Sequence, residues 1–314
     1  MAAATSTFVT AADAAYGYHL INLLGSLRAN SDVFDQVVAY DLGVTEHQRE
    51  LLDRVGDVEV RTVPAFAPHW NQCFTWKPWI WTHLGSGQHV FYLDAGATLI
   101  RSLEPALTAI GERGYFLVSQ GGELEDIVPP DYFDLYDLSR DSGARSYVAA
   151  GIIGFDTTGS FYERVVVPTY ADCMLGRNLG FSADEVSSKN RGLGWVAHPR
   201  IRNCSHFRWD QTLLNIHLAN EVPDALVADM LQYAGVRSSR EHPEQVIWAH
   251  RREGDLRYLK RIRYLGSGAW QARLFGAYWQ LRWRYKLRGK FLRTETYVMK
   301  GKKLLRRASR QSTA

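Results

Sequence analysis

The chain has 314 residues, 46% of them hydrophobic and 12% aromatic. That is material for one large domain or two small ones around a buried core, and it excludes a chain disordered from end to end. The net charge of +4 conceals a split: residues 251–314 carry 19 Lys and Arg against 3 Asp and Glu, a net of +16, while the remainder stands at −12.

An acidic body with a strongly basic end signals a negatively charged partner. The three cysteines, Cys73, Cys173 and Cys204, are far apart and form no CxxC pair. A disulfide framework and a structural zinc site are therefore not expected, and reduced thiols are. Residues 1–10 lack a charged segment followed by a long apolar one, and no uncharged run reaches 18 apolar residues. The expectation is a cytoplasmic protein, soluble or peripheral on the inner face of a membrane.

In chain order, residues 6–11 form a β-prone run. Residues 18–28 follow with Leu20, Leu23, Leu24 and Leu27 at helical spacing. Residues 34–40 read as a second strand. Residues 45–55 read as a helix, with Thr45 as N-cap and Gln48 three residues on to close a capping box. Residues 58–63 form a third strand that Pro64 stops. Residues 76–84 form a helix with Pro78 in its first turn, and residues 89–93 a fourth strand with Asp94 at its end.

This alternation predicts an α/β fold, a mostly parallel sheet with helices on both faces. Such sheets bind ligands beyond the carboxyl ends of their strands. That rule singles out Thr10, Ala11, Ala12 and Asp13 after the first strand, and Asp94, Ala95 and Gly96 after the fourth. No GxGxxG follows the first strand and no GxxxxGK[ST] occurs. A dinucleotide oxidoreductase and a P-loop NTPase thereby lose their support.

Further along, residues 123–141 are acidic, contain Pro129-Pro130 and read as a surface loop. Residues 147–155 read as a buried strand, and residues 161–175 as a helix interrupted by Pro168. Residues 182–202 read as a long loop near the site, residues 209–218 as a helix, and residues 245–249 as a short strand before His250. No internal repeat is present.

The sharpest chemical feature is the strand that ends Tyr92-Leu93-Asp94-Ala95-Gly96. It delivers one carboxylate and then small residues that let a ligand approach the backbone. An Asp that merely closes a strand is the bland alternative. Lys77 lies at the start of the preceding helix and can meet a phosphate as a point charge. Taken alone it reads as a solvated helix residue. Asp210 and Gln211 open a helix, where both side chains can face an open site and where an acid also suits the helix dipole. Trp70, Trp76, Trp79 and Trp81 read as core and helix packing.

In their order these segments resemble glycosyltransferase family 8, the glycogenin-type enzymes, from Phe8 to about Gly254. Thr10 to Asp13 resemble that family's uridine-binding start. Lys77 before Asp94 resembles its lysine-helix-strand-DxD unit. Ala149-Ala150-Gly151 resembles its Asn-Ala-Gly strand, Asp210-Gln211 its Asp-Gln helix start, and His250 with Gly254 its late metal and phosphate element. The DxD motif is reduced to Asp94-Ala95-Gly96, and an Ala stands at the Asn position.

The resemblance implies a GT-A nucleotide-diphospho-sugar transferase over residues 1–255 that moves a hexose from a UDP-sugar to a glycan or lipid-linked acceptor. It implies a nucleoside held by Thr10, Ala11, Ala12 and Asp13, a phosphate on Lys77, and Asp94, Ala95 and Gly96 at the sugar-diphosphate. It also implies a divalent metal (Mn²⁺ or Mg²⁺) on Asp94 and His250, and a donor sugar positioned by the catalytic pair Asp210 and Gln211. Arg251 or Arg252 is the alternative source of the metal's charge.

Residues 256–314 interleave Trp270, Phe275, Trp279 and Trp283 with Arg273, Arg282 and Arg284. Residues 272–287 fit a helix with one aromatic and one basic face, suited to anionic lipid. Nucleic acid is the second reading of this tail, since the same charges bind phosphates. A solvated basic tail is the third. For the whole chain, the alternative to an enzyme is a non-catalytic nucleotide- or sugar-binding protein tethered to an anionic membrane.

Overall fold

The computed structural model describes residues 4–179, 207–234 and 245–249. The expected loop at 182–202, Cys204, His250, Arg251, Arg252 and the tail 256–314 lie outside the described residues.

The chain opens with β1 (Thr5–Ala12), α1 (Gly17–Asn30), β2 (Gln36–Asp41), α2 (Glu46–Asp53), β3 (Glu59–Thr62), α3 (Trp76–Thr82) and β4 (Gln88–Leu93). Each expected element of this half is present. The Thr45 hydroxyl accepts from the Gln48 amide, and the Gln48 side chain accepts from the Thr45 amide, so the capping box of α2 is complete. The chain continues through β5 (Thr98–Leu99), α4 (Glu104–Arg113), β6 (Tyr115–Glu123), α5 (Leu124–Ile127), α6 (Pro130–Leu135), β7 (Ser146–Asp156) and α7 (Val167–Met174). It closes with α8 (Asp210–Glu221), α9 (Met230–Tyr233) and β8 (Ile247–Trp248).

The main sheet runs in the order β3-β2-β1-β4-β7-β6. β1 is parallel to β2 and β4, and β2 is parallel to β3. β7 runs antiparallel to both of its neighbours, β4 and β6. The fold is thus α/β with a mostly parallel six-stranded sheet. Alternate residues of each strand serve opposite faces. Phe8 and Phe91 pack with Leu20 and Leu24 of α1, Leu51 of α2 and Ala106 of α4. Val9, Val90 and Tyr92 pack with Ile80 and Trp81 of α3 and Leu214 of α8. The period-2 pattern of the strands and the apolar stripes of the helices therefore create two cores, one on each face. Trp81 is fully buried, and Trp70, Trp76 and Trp79 pack against the same core, as the sequence suggested.

Chain order reverses beside β1: β2 and β3 build outward on one side, and β4 joins on the other. The crevice beyond the carboxyl ends of β1 and β4 is therefore the switch point where ligands bind in such sheets.

The expected loop over 123–141 is corrected by the structure. α5 and α6 occupy it, and Leu124, Ile127, Val128, Tyr132 and Phe133 are buried in a third core. Its acids face outward around an apolar stripe, and Pro130 sits at the start of α6, where a missing N–H costs nothing. The interruption expected at Pro168 takes the form of one widened π turn, Tyr162–Val166, that runs directly into α7. Among the described residues, no helix is long and apolar enough to cross a membrane.

Candidate active site

β4 ends one residue before Asp94, at the switch point. β7 supplies the other wall. Its pairing with β4 is regular as far as Leu93 with Ile152, and the Asp94 amide donates to the Gly151 carbonyl at 2.9 Å. Its pairing with β6 jumps from Ile153 opposite Leu117 to Val148 opposite Ser119. The residues released by that register shift, Ala149 to Ile152, line a cavity of about 290 Å³. A bulge has turned strand backbone into a pocket wall. Gly151 is needed there, because a Cβ would overlap the Asp94 carboxylate.

Lys77 projects from the first turn of α3 into the same cavity. Its Nζ lies 3.1 Å from Asp94 Oδ1 and 3.7 Å from Asp210 Oδ2. The rings of Phe74, Trp76 and Tyr92 stand 5.0, 5.7 and 5.6 Å from it. The Lys77 side chain is 5% exposed and that of Asp210 is 3%, whereas Asp94 keeps 38%. Lys77 is thus a buried ammonium held by two carboxylates and three aromatic faces. Its reading as a solvated helix residue is overturned. Tyr92 donates its hydroxyl to Asp94 Oδ1 at 2.9 Å, and burial pushes that phenol well above its ordinary range. Burial also raises Asp210 to about 6; Lys77 pulls it down and Asp94 pushes it further up. Asp210 Oδ2 is buried and makes no hydrogen bond.

Strained backbone delivers these groups. Trp209, immediately before α8, has φ of 51°, and Cys73 and Phe74, just before α3, have φ of 45° and 60°. Side chains cost energy in that region, so tertiary contacts must hold it. The Phe74 and Trp209 rings meet at 5.4 Å. Asn178 donates to the Cys73 carbonyl at 3.0 Å and to the Thr75 hydroxyl at 2.8 Å. α8 is clamped to β7 by Asn215, which accepts from the Val148 amide and donates to the Val148 carbonyl.

Of the expected site residues, Lys77, Asp94, Gly96, Asp210 and Gln211 line one cavity. Ala95 is buried beside it. Gln211 commits its amide nitrogen to the Val148 carbonyl at 2.7 Å and to Gln120 Oε1 at 2.6 Å, which leaves its oxygen for a ligand. Thr10, Ala11, Ala12 and Asp13 are not among the cavity's lining residues. Asp13 is exposed, and its Oδ1 accepts from the amides of Ala15 and Tyr16, an Asx turn. Gln120 and Arg208 also line the cavity and were not singled out from sequence. Nothing in a β-strand pattern marks Gln120, but Arg208 stands two residues before Asp210 and adjacency alone could have raised it.

Of the metal expected on Asp94 and His250, the described residues hold only the Asp94 side. Gly96 stands where a second acid would be, the Asp94 carboxylate is shared with an ammonium, and His250 lies outside the described residues. Among the described residues, no three His, Cys, Asp or Glu side chains gather to hold an ion. Hard divalent cations take about six oxygen ligands, and of the expected pair only Asp94 stands among the described residues.

No protein-family model and no curated protein matches the chain. Among solved structures it is similar to the bifunctional glycosyltransferase WbbM, with 12% identity over 84% of this chain and 46% of that one, at a TM-score of 0.47. It is similar to the galactosyltransferase LgtC in complex with donor and acceptor sugar analogs, with 15% identity, 69% and 96% coverage and a TM-score of 0.37. It is also similar to mouse xyloside xylosyltransferase 1, with 10% identity, 75% and 88% coverage and a TM-score of 0.43. The chain spans about half the length of WbbM. These likenesses are slight, and the chemistry rests on the cavity.

Proposed function

We propose that the protein is a GT-A glycosyltransferase that moves a hexose from a nucleoside diphosphate sugar, UDP by the family resemblance, to a glycan or lipid-linked hydroxyl. One observation carries this reading: Lys77, Asp94 and Asp210, drawn from three separate motifs of that resemblance, meet in one cavity at the switch point. The cavity is at the small end of ligand sites and suits the sugar and its adjoining phosphate. The nucleoside reaches toward the backbone of Thr10 to Asp13.

In the transfer, the bond between the anomeric carbon and the diphosphate oxygen breaks, and the acceptor oxygen bonds to that carbon. The acceptor's proton passes to the departing diphosphate, which takes the electron pair. Asp94 offers its partly exposed oxygen to sugar hydroxyls, and Lys77 fixes it there. Asp210 faces the reacting centre from the start of α8, where a carboxylate stabilises positive charge developing on the sugar. The Gln211 oxygen accepts from a donor hydroxyl. The basic residues 256–314 bring the enzyme to an anionic surface that carries the acceptor.

The test is a calorimetric titration of the full chain with UDP and UDP-hexoses, followed by a transfer assay. Micromolar binding is expected, with turnover reduced at least ~100-fold in Asp94→Ala. Turnover retained in that variant overturns the site. A wild-type chain that binds no nucleotide sugar favours a tethered binding protein instead.

A further inference from the structure

The orientation of the Gln211 carboxamide follows from its neighbours. The Val148 backbone carbonyl can only accept, so the Gln211 atom 2.7 Å from it is the amide nitrogen. That nitrogen carries a second hydrogen. The atom it meets at 2.6 Å must also accept, which makes it the side-chain oxygen of Gln120. With both hydrogens committed, Gln211 has only its oxygen left for the cavity that both glutamines line. Turning the carboxamide over would set its oxygen against two acceptors. Val148 cannot yield, because Asn215 holds both its amide and its carbonyl.

Gln120 reaches this place through irregular backbone. The register of β6 on β7 slips again between Ser119 and Glu123, and Gly121 and Gly122 take φ of 69° and 110°. A bulge of this kind re-aims a side chain, and here it brings Gln120 onto the first turn of α8.

We propose that Gln120 is a positioning residue that locks the Gln211 carboxamide as a pure acceptor for a sugar hydroxyl. Gln120 works through its oxygen; its own amide nitrogen is not needed. The sugar part of this inference rests on the transferase reading, and the lock itself does not.

The experiment compares the full-length wild type, Gln120→Leu and Gln120→Glu. UDP and UDP-glucose are titrated into each, a melting curve is recorded, and exchange of the Gln211 side-chain amide hydrogens is followed by NMR after labelling with ¹⁵N-glutamine. Gln211→Leu assigns that signal by its loss. In Gln120→Leu, UDP-glucose binding should weaken about tenfold, with UDP binding unchanged and amide exchange faster. Gln120→Glu should recover most of the affinity and the slow exchange, since a carboxylate accepts the same hydrogen. Exchange that quickens in Gln120→Leu, in a wild type that binds no UDP-glucose, upholds the lock and overturns the donor. Equal exchange in wild type and Gln120→Leu, a UDP-glucose affinity indifferent to Gln120→Leu, or a Gln120→Glu variant as weak as Gln120→Leu overturns the assignment.

Discussion

Two neighbouring strands, β1 and β4, each deliver an aspartate beyond their carboxyl ends, and the two acids do unlike work. Asp13 is exposed and spends its carboxylate on the amides of Ala15 and Tyr16. Its task is to shape the turn into α1. Asp94 has the Tyr92 hydroxyl and the Lys77 ammonium on it and still shows an open edge to a cavity. Its partners orient it without using it up. The position of an acid at a sheet's switch point therefore does not settle its role; what its oxygens already hold does.

The strongest way to break this comparison is at Lys77. Lys77→Met would leave Asp210 buried with no cation beside it. Removing one partner of a buried pair costs about 3–5 kcal/mol. Denaturant unfolding at pH 8 should show a loss of that size, and a loss below about 1 kcal/mol would mean that Lys77 does not hold the site together.

A somewhat smaller effect belongs to Asp210. Its folded pKa, about 6, lies above its ordinary 3.8. Between those values the folded chain keeps a proton that the unfolded chain has released. Stability from this group therefore falls as pH rises through about 4 to 6, by roughly 3 kcal/mol. Asp210→Asn removes that slope, so the stability gap between variant and wild type should shift in the variant's favour from pH 4 to pH 7. A gap that is flat with pH refutes the burial cost assigned to this carboxyl.

The smallest effect sharpens the contrast from the other side. Asp13→Ala removes turn hydrogen bonds worth about 1 kcal/mol in all. UDP binding should weaken a few-fold through the displaced backbone, with inorganic diphosphate binding unchanged. Loss of diphosphate binding in this variant would place Asp13 in the cavity after all.

Much of the first half of the fold could be read from residues because its signals are local. The strand and helix periods from β1 to β4 alternate cleanly, and the capping box at Thr45 is written in two residues three positions apart. The second half hides its signals. α4 and β6 are separated by Gly114 alone, which caps the helix in the left-handed region, and the sequence reading named neither. The acids and prolines of 123–141 masked an apolar stripe that makes two helices. At the site, the motif order pointed to Lys77, Asp94 and Asp210, and they do meet. Their environment was not legible. Burial of Lys77 depends on aromatic rings from α3 and β4 closing around it, and no sequence pattern announces that Trp209 takes a left-handed backbone. Arg208 and Gln120 enter the wall through tertiary placement of α8 and β6.

The order of the sheet also dictates a sequence of assembly. β1 to β4 and α3 are complete within the first hundred residues, so Lys77 and Asp94 can pair while the rest of the chain is still being synthesised. Asp210 arrives far later and enters only when Asn215 captures Val148 on β7. Until then the nascent domain exposes a sheet face and the aromatic surround of Lys77. The docking of a single helix is therefore the event that brings the third charged group to a pair the first hundred residues already hold.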